Sequence, residues 1–312
     1  MPVPNTNTSL SDIQTEFGGS NPIEMEEYYS NGPLVPSAAP APNGPIPTSG
    51  QISIGQFRGS ENLSFIQATG GTVTTSGDFK IHTFTGGGTF CVSAVGTNPA
   101  CNVVDYMVVA GGGGGGGPSS FGAGGGAGGF RESPGSKGGG YSTSPKAGGT
   151  QIPVSAQGYP ISVGGGGSNS SFSNITSARG GSGGAAHFNP GNPGGSGGGA
   201  HRVLNGGGAG NVPPVSPPQG NPGGGSINPP DSTLYGSAGG GATGSGGNIA
   251  AVPGGSGATT SAPGSPTTFS IGGGGAAPGA STPTPPGSGN GGTRSGGGAS
   301  GTVVIRYKYQ AS

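Results

Sequence analysis

Carboxylates are the first side chains to consider, because a pair of them could cleave a glycan. Beyond Asp105 the chain contains only Glu132 and Asp231. Glycosidases generally place two carboxyl groups in one cleft, and carboxylates this sparse argue against that chemistry. The nucleotide-binding pattern G-K-[ST] is absent, and short Gly–Ser motifs arise by chance in a sequence of this composition. We therefore expect a protein without catalytic residues and without a cofactor.

Histidines and cysteines are the next candidates, as metal ligands or as a disulfide. His187 and His201 lie 14 residues apart in glycine-rich segments, where they could ligate a metal, contact a receptor or simply be solvated. A hairpin with its turn at Gly96–Pro99 would bring Cys91 and Cys101 face to face, as a disulfide or as two buried thiols. A structural zinc site needs four ligands, and this spacing does not supply them. We expect no metal site.

Aromatic and cationic side chains between the glycine runs are the stronger candidates for function. Aromatic residues and arginine are the usual anchors of binding interfaces, and aromatic faces suit sugars. An alternative role for some of these side chains, Phe130 and Tyr141 above all, is to cover the ends of the glycine runs. The candidate receptor-binding residues are Phe130, Arg131, Tyr141, Phe188, His201, Arg202 and Tyr235.

The chain that must position these residues is rich in glycine and poor in the groups that usually drive folding. Of its 312 residues, 80 are Gly and 31 are Pro, whereas only 28% are hydrophobic and 6% charged. The net charge is zero and there is no basic patch, which argues against a nucleic-acid partner. No apolar run approaches the roughly 20 residues of a membrane helix, so we expect no membrane insertion. The polar segment Met1–Ser9 lacks the apolar region of a signal peptide.

Glycine runs recur throughout residues 111–299, as in Gly111–Gly117 and Gly272–Gly275, with turns rich in Pro, Asn and Ser between them. The runs break any Gly-X-Y period, which excludes collagen. The polyproline II conformation needs no side chains and leaves every peptide group free to bond a neighbour. Each bond between such helices contributes about 0.5–1.5 kcal/mol. Because aromatic and β-branched residues recur at the run boundaries, we expect an ordered bundle of polyglycine II helices rather than a disordered spacer.

Alternating apolar residues on either side of that region predict a small antiparallel β-module, formed by residues 60–110 together with 300–312. In the last strand, Val303, Ile305, Tyr307 and Tyr309 share one face. We expect this strand to pair with "VVDYMVVA", so that residues 111–299 are an insertion between neighbouring strands. The predicted fold class is therefore mainly β plus polyglycine II.

Residues 1–59 read as a short helix-and-coil arm with a Pro-rich linker. Ser11 and Gln14 have the spacing of a capping box, and Asn21 precedes a proline as a helix cap often does. No piece of this arm looks able to bury a core alone, so we expect it to dock on another protein. The docking candidates are the apolar and aromatic residues Ile13, Phe17, Ile23, Met25, Tyr28, Tyr29, Ile54 and Phe57.

Several stretches resemble proteins of tailed bacteriophages. "YMVVAGGGGGGG", "YPISVGGGG" and the closing "GTVVIRYKY" resemble the glycine-rich tail-fibre adhesins. "LSDIQTEFGGSNPIEMEEYYSNG" is similar to a segment common in structural proteins of tailed phages, especially marine and cyanobacterial ones. A similar glycine-helix bundle occurs in the extracellular part of some receptor tyrosine kinases. That location would require a signal peptide, which the polar segment Met1–Ser9 does not resemble.

The resemblance implies a virion protein that is made in the host cytoplasm and acts on the phage tail. In the adhesins, polyglycine II helices form a sandwich whose distal loops bind a bacterial surface receptor, and the N-terminal part attaches to the fibre. The implied partners are thus other virion proteins and a glycan or outer-membrane protein, with homo-oligomers also open. The alternative is a purely structural subunit of the tail, neck or capsid.

Overall fold

The fold is that of a computed structural model, in which one α-helix, three short 3₁₀ turns and thirteen strands are described. The helix α1 is Leu10–Phe17, and the 3₁₀ turns are Met25–Tyr28, Ile54–Phe57 and Pro99–Cys101. The strands are β1 (Gln67–Thr69), β2 (Thr72–Ser76), β3 (Phe79–Phe84), β4 (Gly88–Ala94), β5 (Val103–Val109), β6 (Phe130–Glu132), β7 (Ile152–Pro153), β8 (Gly158–Ser162), β9 (Ser170–Phe172), β10 (Ile175–Ser177), β11 (Ala258–Thr260), β12 (Thr267–Phe269) and β13 (Thr302–Lys308). The structure describes residues 2–30, 32, 34–35, 45–60, 62, 65–117, 122–135, 141–185, 189–201, 206–225, 236–248, 253–275, 286–293 and 295–309.

Two antiparallel sheets make up most of the β-structure, which confirms the mainly β fold class. The first has the order β1-β4-β8-β9-β10, and the second β2-β3-β13-β5-β6, with β7 also paired to β5. Strand β13 lies between β3 and β5, with Val303 opposite both Phe84 and Val108. The predicted pairing of the last strand with β5 is therefore confirmed.

The main hydrophobic core lies between the two sheets. Val303, Ile305 and Tyr307 belong to it, as the alternation predicted, together with Phe90 of β4 and Phe172 of β9. The ring of Phe90 is fully buried and lies edge-on to Phe172, with centroids 6.2 Å apart. Aromatic residues of both sheets thus close the sandwich.

Strands β7–β10 show that the glycine-rich region contributes to the sandwich as well as to the bundle. They lie within the segment that the sequence assigned wholly to the bundle, yet β8 pairs with β4 in the first sheet. On its outer face the second sheet packs Met107 and Val304 against Ala258 and Phe269. Both faces of this sheet are therefore covered, and the bundle packs along the module instead of only projecting from its end.

The predicted hairpin around Gly96–Pro99 is wrong. Its two arms are β4 and β5, which belong to different sheets because β4 pairs with β1 and β8. Cys91 and Cys101 are both exposed free thiols, so they are neither a disulfide nor buried. The connection between β4 and β5 is held by the side chain of Asn102. Its Nδ2 donates to the Gly96 carbonyl at 2.9 Å, and its Oδ1 accepts from the Gly96 backbone N–H at 2.7 Å.

The N-terminal segment buries a core of its own, contrary to our expectation. Helix α1 begins after Ser9, which forms a capping box with Asp12, two residues before the predicted cap. The box forms there because the Asp12 carboxylate accepts from the Ser9 backbone N–H at 2.8 Å. Asn21 caps no helix, since the next turn begins at Met25. The core residues are Val3, Ile13, Phe17, Tyr28, Val35, Ile46 and Phe57.

The run 122–129 shows how the glycine segments hold together. Gly124 N–H donates to the carbonyl of Ser237, and Ala127 N–H donates to that of Gly240, both at 2.9 Å. When the donor moves three residues along the run, the accepting carbonyl also moves three residues along the partner segment. A period of three residues per turn is that of the polyproline II helix, so this run is a polyglycine II helix, parallel to the segment it bonds.

The remaining residues of the run repeat the same period with other segments. Four donors bond two antiparallel segments: Gly125 and Gly128 donate to Gly292 and Gly289, and Gly126 and Gly129 donate to Gly181 and Ala178. Its carbonyls accept from three further segments, through the N–H groups of Ser196 and Gly199, of Gly273, and of Ala110 and Gly113. Three segments bonded by donation and three by acceptance surround the run on six sides. Backbone hydrogen bonds thus hold this run in the bundle, and buried side-chain amides add to them elsewhere, as where Gln219 Oε1 accepts from the Ala178 N–H at 2.8 Å.

Candidate functional site

The four candidate receptor-binding residues that the structure describes do not form one surface. Phe130 is 1% exposed and His201 is 2% exposed, so neither presents its side chain to a partner. Arg131 and Tyr141 are partly exposed. Phe188, Arg202 and Tyr235 lie outside the described residues. Among the described candidates, Arg131 and Tyr141 retain accessible surface.

The docking candidates lie in and around the N-terminal core. Ile13, Phe17, Tyr28 and Phe57 are buried inside it, which corrects their assignment as an exposed docking surface. Their side chains face inward because each buries its apolar surface against the others. The rings of Phe17 and Phe57, for example, meet edge-on with their centroids 6.1 Å apart. The partly buried candidates are Ile23, Met25 and Ile54, which pack against this core, and Tyr29, whose hydroxyl donates to the Gly50 carbonyl.

A buried carboxylate beside Arg131 fixes the position of strand β6. Glu132 is 1% exposed and accepts hydrogen bonds from the Ser144 backbone N–H at 2.9 Å and from the Thr260 hydroxyl at 2.5 Å. Burial raises the pKa of the Glu132 carboxyl, and these hydrogen bonds oppose the shift. Since Thr260 lies in β11, 128 residues further along the chain, Glu132 ties β6 to β11.

A second buried group stabilises the neighbouring part of β5. The Ser133 hydroxyl donates to Asp105 at 2.9 Å and accepts from the Tyr106 backbone N–H at 3.0 Å. The guanidinium of Arg306 lies over the rings of Phe79 and Tyr141, 4.6 and 4.9 Å from their centroids. Burial raises the pKa of the Tyr141 hydroxyl, so Tyr141 is neutral and its role here is to cover Arg306.

The accessible cavity next to Arg131 is called here the side groove. It opens on one side of the sandwich, where β6, β7 and the β9–β10 turn approach each other. Strand β6 pairs with Met107–Val109 and β7 with Val103–Val104, so Tyr106 lies between the two pairings. The groove measures about 480 Å³ and is lined by Tyr106, Arg131, Gly149, Thr150, Gln151, Ile152, Pro153, Ser173, Asn174 and Ile175.

Arg131 is held at the rim of the side groove by both sheets. Its backbone pairs with Val108 of the second sheet, and its Nη1 donates to the Thr176 carbonyl of the first at 3.5 Å. Strand alternation turns it away from its buried neighbours Phe130 and Glu132. Burial raises the pKa of the Tyr106 hydroxyl, and the positive charge of Arg131 partly opposes this shift.

Sequence reasoning found Arg131 but missed the rest of the side groove. Thr150, Gln151 and Asn174 are ordinary polar residues in turns, and nothing in their local spacing marks them. They meet because β7 and the β9–β10 hairpin join different sheets of the sandwich. Only the strand pairing could have revealed them.

His82 is a buried titratable group within the sandwich. Its Nδ1 lies 2.7 Å from the Gly70 carbonyl and its Nε2 lies 3.1 Å from the Tyr307 hydroxyl. These partners fit a neutral ring that donates from Nδ1 and accepts at Nε2. Burial lowers the pKa of His82, and the positive charge of Lys80 lowers it further. The hydrogen bond to the Gly70 carbonyl acts in the opposite direction and raises it.

The free energy of unfolding is expected to fall as the pH falls below about 6.5, the ordinary histidine value. In that range the unfolded chain binds a proton at His82 more readily than the folded chain does, so acid favours unfolding. Chemical denaturation at pH 7 and pH 5 measures the effect. A His82→Gln variant, although less stable at pH 7, should show a smaller difference between the two pH values. An unchanged difference would contradict this origin of the pH dependence.

The described residues contain neither a cluster of metal ligands nor a membrane-spanning helix. No three His, Cys, Asp or Glu side chains come together there as metal ligands would. None of the described helices is both long enough and apolar enough to cross a bilayer.

Comparison with known proteins gives one match. The model of a family described as a glycine-rich domain matches residues 85–308. No curated protein and no solved structure matches the chain. The matched segment begins before β4 and ends with β13, so it includes the sandwich strands from β4 onward together with the bundle.

Proposed function

We propose that this chain, which belongs to the glycine-rich domain family, is a bacteriophage virion protein that binds a host cell-surface receptor without catalysis. The observation that carries the proposal is the run 122–129, which is bonded on six sides through its backbone. Because the run is held through its backbone, its cohesion does not depend on exposed side chains at the tips of the connecting loops. Recognition residues can therefore vary while the bundle persists, which suits a receptor-binding protein.

The burial of the carboxylates supports a binding role over hydrolysis. Asp105 and Glu132 are each 1% exposed and are bonded to Ser133, Ser144 and Thr260. Neither carboxyl group presents an oxygen to a substrate. Recognition would then rest on neutral polar, aromatic and cationic side chains, which fits the polar lining of the side groove.

The N-terminal segment is the proposed attachment to other virion proteins. Its separate core supports this role, because a small folded unit can be held by a partner independently of the rest of the chain. Ile23, Met25 and Ile54 keep part of their surface accessible and would contribute to that contact. The protein would thus reside in the virion, with one part on the particle and the other toward the host.

A structural virion subunit is the second candidate function. The burial of Phe130 and His201 favours it, since two of the proposed receptor contacts instead pack inside the molecule. In this case the bundle would be a rigid, uncharged building block of the tail, neck or capsid, and its loops would face neighbouring subunits.

Binding of the fluorescently labelled full chain to bacterial cells tests the proposal, beginning with cyanobacterial strains because of the N-terminal resemblance. We expect saturable binding, and at least a tenfold loss when Arg131, Arg202 and Tyr235 are all replaced by alanine. Arg179→Ala, at an exposed arginine outside the side groove, is the matched control. Circular dichroism verifies that each variant is folded. A folded chain that binds no strain would favour the structural subunit.

A further inference from the structure

We infer that the side groove is a binding site for an acidic glycan, a sugar that carries a carboxylate or phosphate group. The inference rests on the proposed function, for which it supplies the chemistry of the receptor. The volume of about 480 Å³ lies within the range of ligand sites, about 300–1,000 Å³. The groove is thus large enough for more than a single ion.

The charge of the groove selects an anionic ligand. Of its described lining residues, Arg131 carries a charge and none is a carboxylate. Glu132, the next residue, points to the opposite face of β6 and is bonded to Ser144 and Thr260. A guanidinium presents its N–H donors in a planar fork that matches a carboxylate or phosphate group. Arg131 would therefore bind the acidic group of the sugar.

A second cation lies in an adjoining cleft, together with a carboxyl group. Lys146 and Glu132 both line this narrow cleft, which shares Tyr106 and Arg131 with the side groove. Burial lowers the pKa of Lys146, because its charge is partly removed from water. Because the Glu132 carboxyl group shares this cleft, the preference of the side groove for an anion rests on Arg131 and not on Lys146.

The remaining lining suits the neutral part of a sugar. Gln151 and Asn174 carry amide groups and Thr150 a hydroxyl, which together can donate to and accept from sugar hydroxyls. Pro153, which is exposed, provides apolar surface for the C–H face of a ring. These residues lie on strands or tight turns of the sandwich, so little conformational entropy is lost when a ligand binds.

Isothermal titration of the full chain with defined trisaccharides tests the inference. The probes are trigalacturonic acid, a phosphorylated maltotriose and neutral galactotriose. We expect at least one acidic probe to bind ten times more tightly than the neutral one, and the two acidic probes distinguish carboxylate from phosphate. Arg131→Gln should weaken this binding at least tenfold, whereas Arg179→Gln, which removes an exposed charge elsewhere, should change it less than twofold.

A second variant tests the position of the site while keeping the charge of Arg131. Asn174 is exposed in the β9–β10 turn, and Asn174→Trp would fill the groove with a bulky ring. We expect this variant to lose binding as well. Equal binding of acidic and neutral sugars, no binding of either acidic sugar, or insensitivity to both variants would each overturn the inference.

The cell-binding experiment separates this inference from the proposed function. Saturable binding to cells that Arg131→Gln and Asn174→Trp leave intact would keep the receptor-binding role and overturn the groove as its site. Binding of the acidic trisaccharide without binding to any cell would keep the glycan site and overturn its role in attachment.

Discussion

Replacing Gly125 by alanine is expected to lower the free energy of unfolding by about 3 kcal/mol or more. Gly125 lies in the middle of the run 122–129, and a Cβ atom there would lie 2.1 Å from the Gly113 carbonyl oxygen and 2.7 Å from the Gly114 one. These are backbone atoms, so no side chain can rotate away. The segment would have to shift, which would strain the bond between Gly113 and Gly126.

Gly165→Ala is the matched control for this substitution. A Cβ atom at Gly165 meets nothing within 4 Å, and the unfolded chain loses the same conformational freedom in both variants. We expect Gly165→Ala to be neutral or slightly stabilising. Thermal unfolding measures both, with an expected decrease in Tm of roughly 4–6 °C for Gly125→Ala. Equal Tm values for the two variants would mean that the bundle does not pack as described.

Phe90→Ala is expected to cost about 4 kcal/mol of unfolding free energy. The ring lies in the core between the sheets, with centroids 5.1 Å from His82, 6.0 Å from Tyr307 and 6.2 Å from Phe172. His82 and Tyr307 belong to the second sheet, and Phe90 and Phe172 belong to the first. Removing the ring leaves a cavity and ends its contacts with both sheets.

The control for this variant is Phe65→Ala, at a phenylalanine that is partly exposed and precedes the sandwich. We expect it to cost less than half as much, because less apolar surface is lost from the interior. Urea denaturation of both variants gives the two values. A Phe90→Ala variant as stable as Phe65→Ala would contradict a single core between the sheets.

Local patterns were sufficient to predict strand β13 and the conformation of the glycine runs. The alternation of Val303, Ile305 and Tyr307 placed them on one face, and the structure buries all three in the core between the sheets. The glycine runs predicted polyglycine II because that conformation bonds neighbours without side chains. What these patterns lack is the identity of the partners, since one glycine resembles another and any alternating strand can pair with several.

Apart from the local errors at the helix caps Ser11 and Asn21, the errors arose where partners are distant in the chain. Strand β4 looked like one arm of a hairpin, but it pairs with β1 and β8 because Phe90 is buried among Tyr159 and Phe172. The N-terminal core brings together Val3, Ile13 and Phe57, which are too far apart to show a period. The side groove was missed for the same reason, because Arg131 meets Gln151 and Asn174 only after the strands have paired.

The central position of β13 has a consequence for the time at which the protein can fold during synthesis. Strand β13 lies between β3 and β5, so these two strands are joined in one sheet only after β13 has paired with both. The run 122–129 likewise needs hydrogen-bond partners as late in the chain as Gly292. Contacts at such long separations form slowly, because each closes a large loop. The ribosome must therefore synthesise the chain through β13 before the second sheet can form. It must synthesise the chain through Gly292 before the run 122–129 can bond all its partners. The N-terminal core depends on no later residue among those that form it, and it can fold while the rest is still being made.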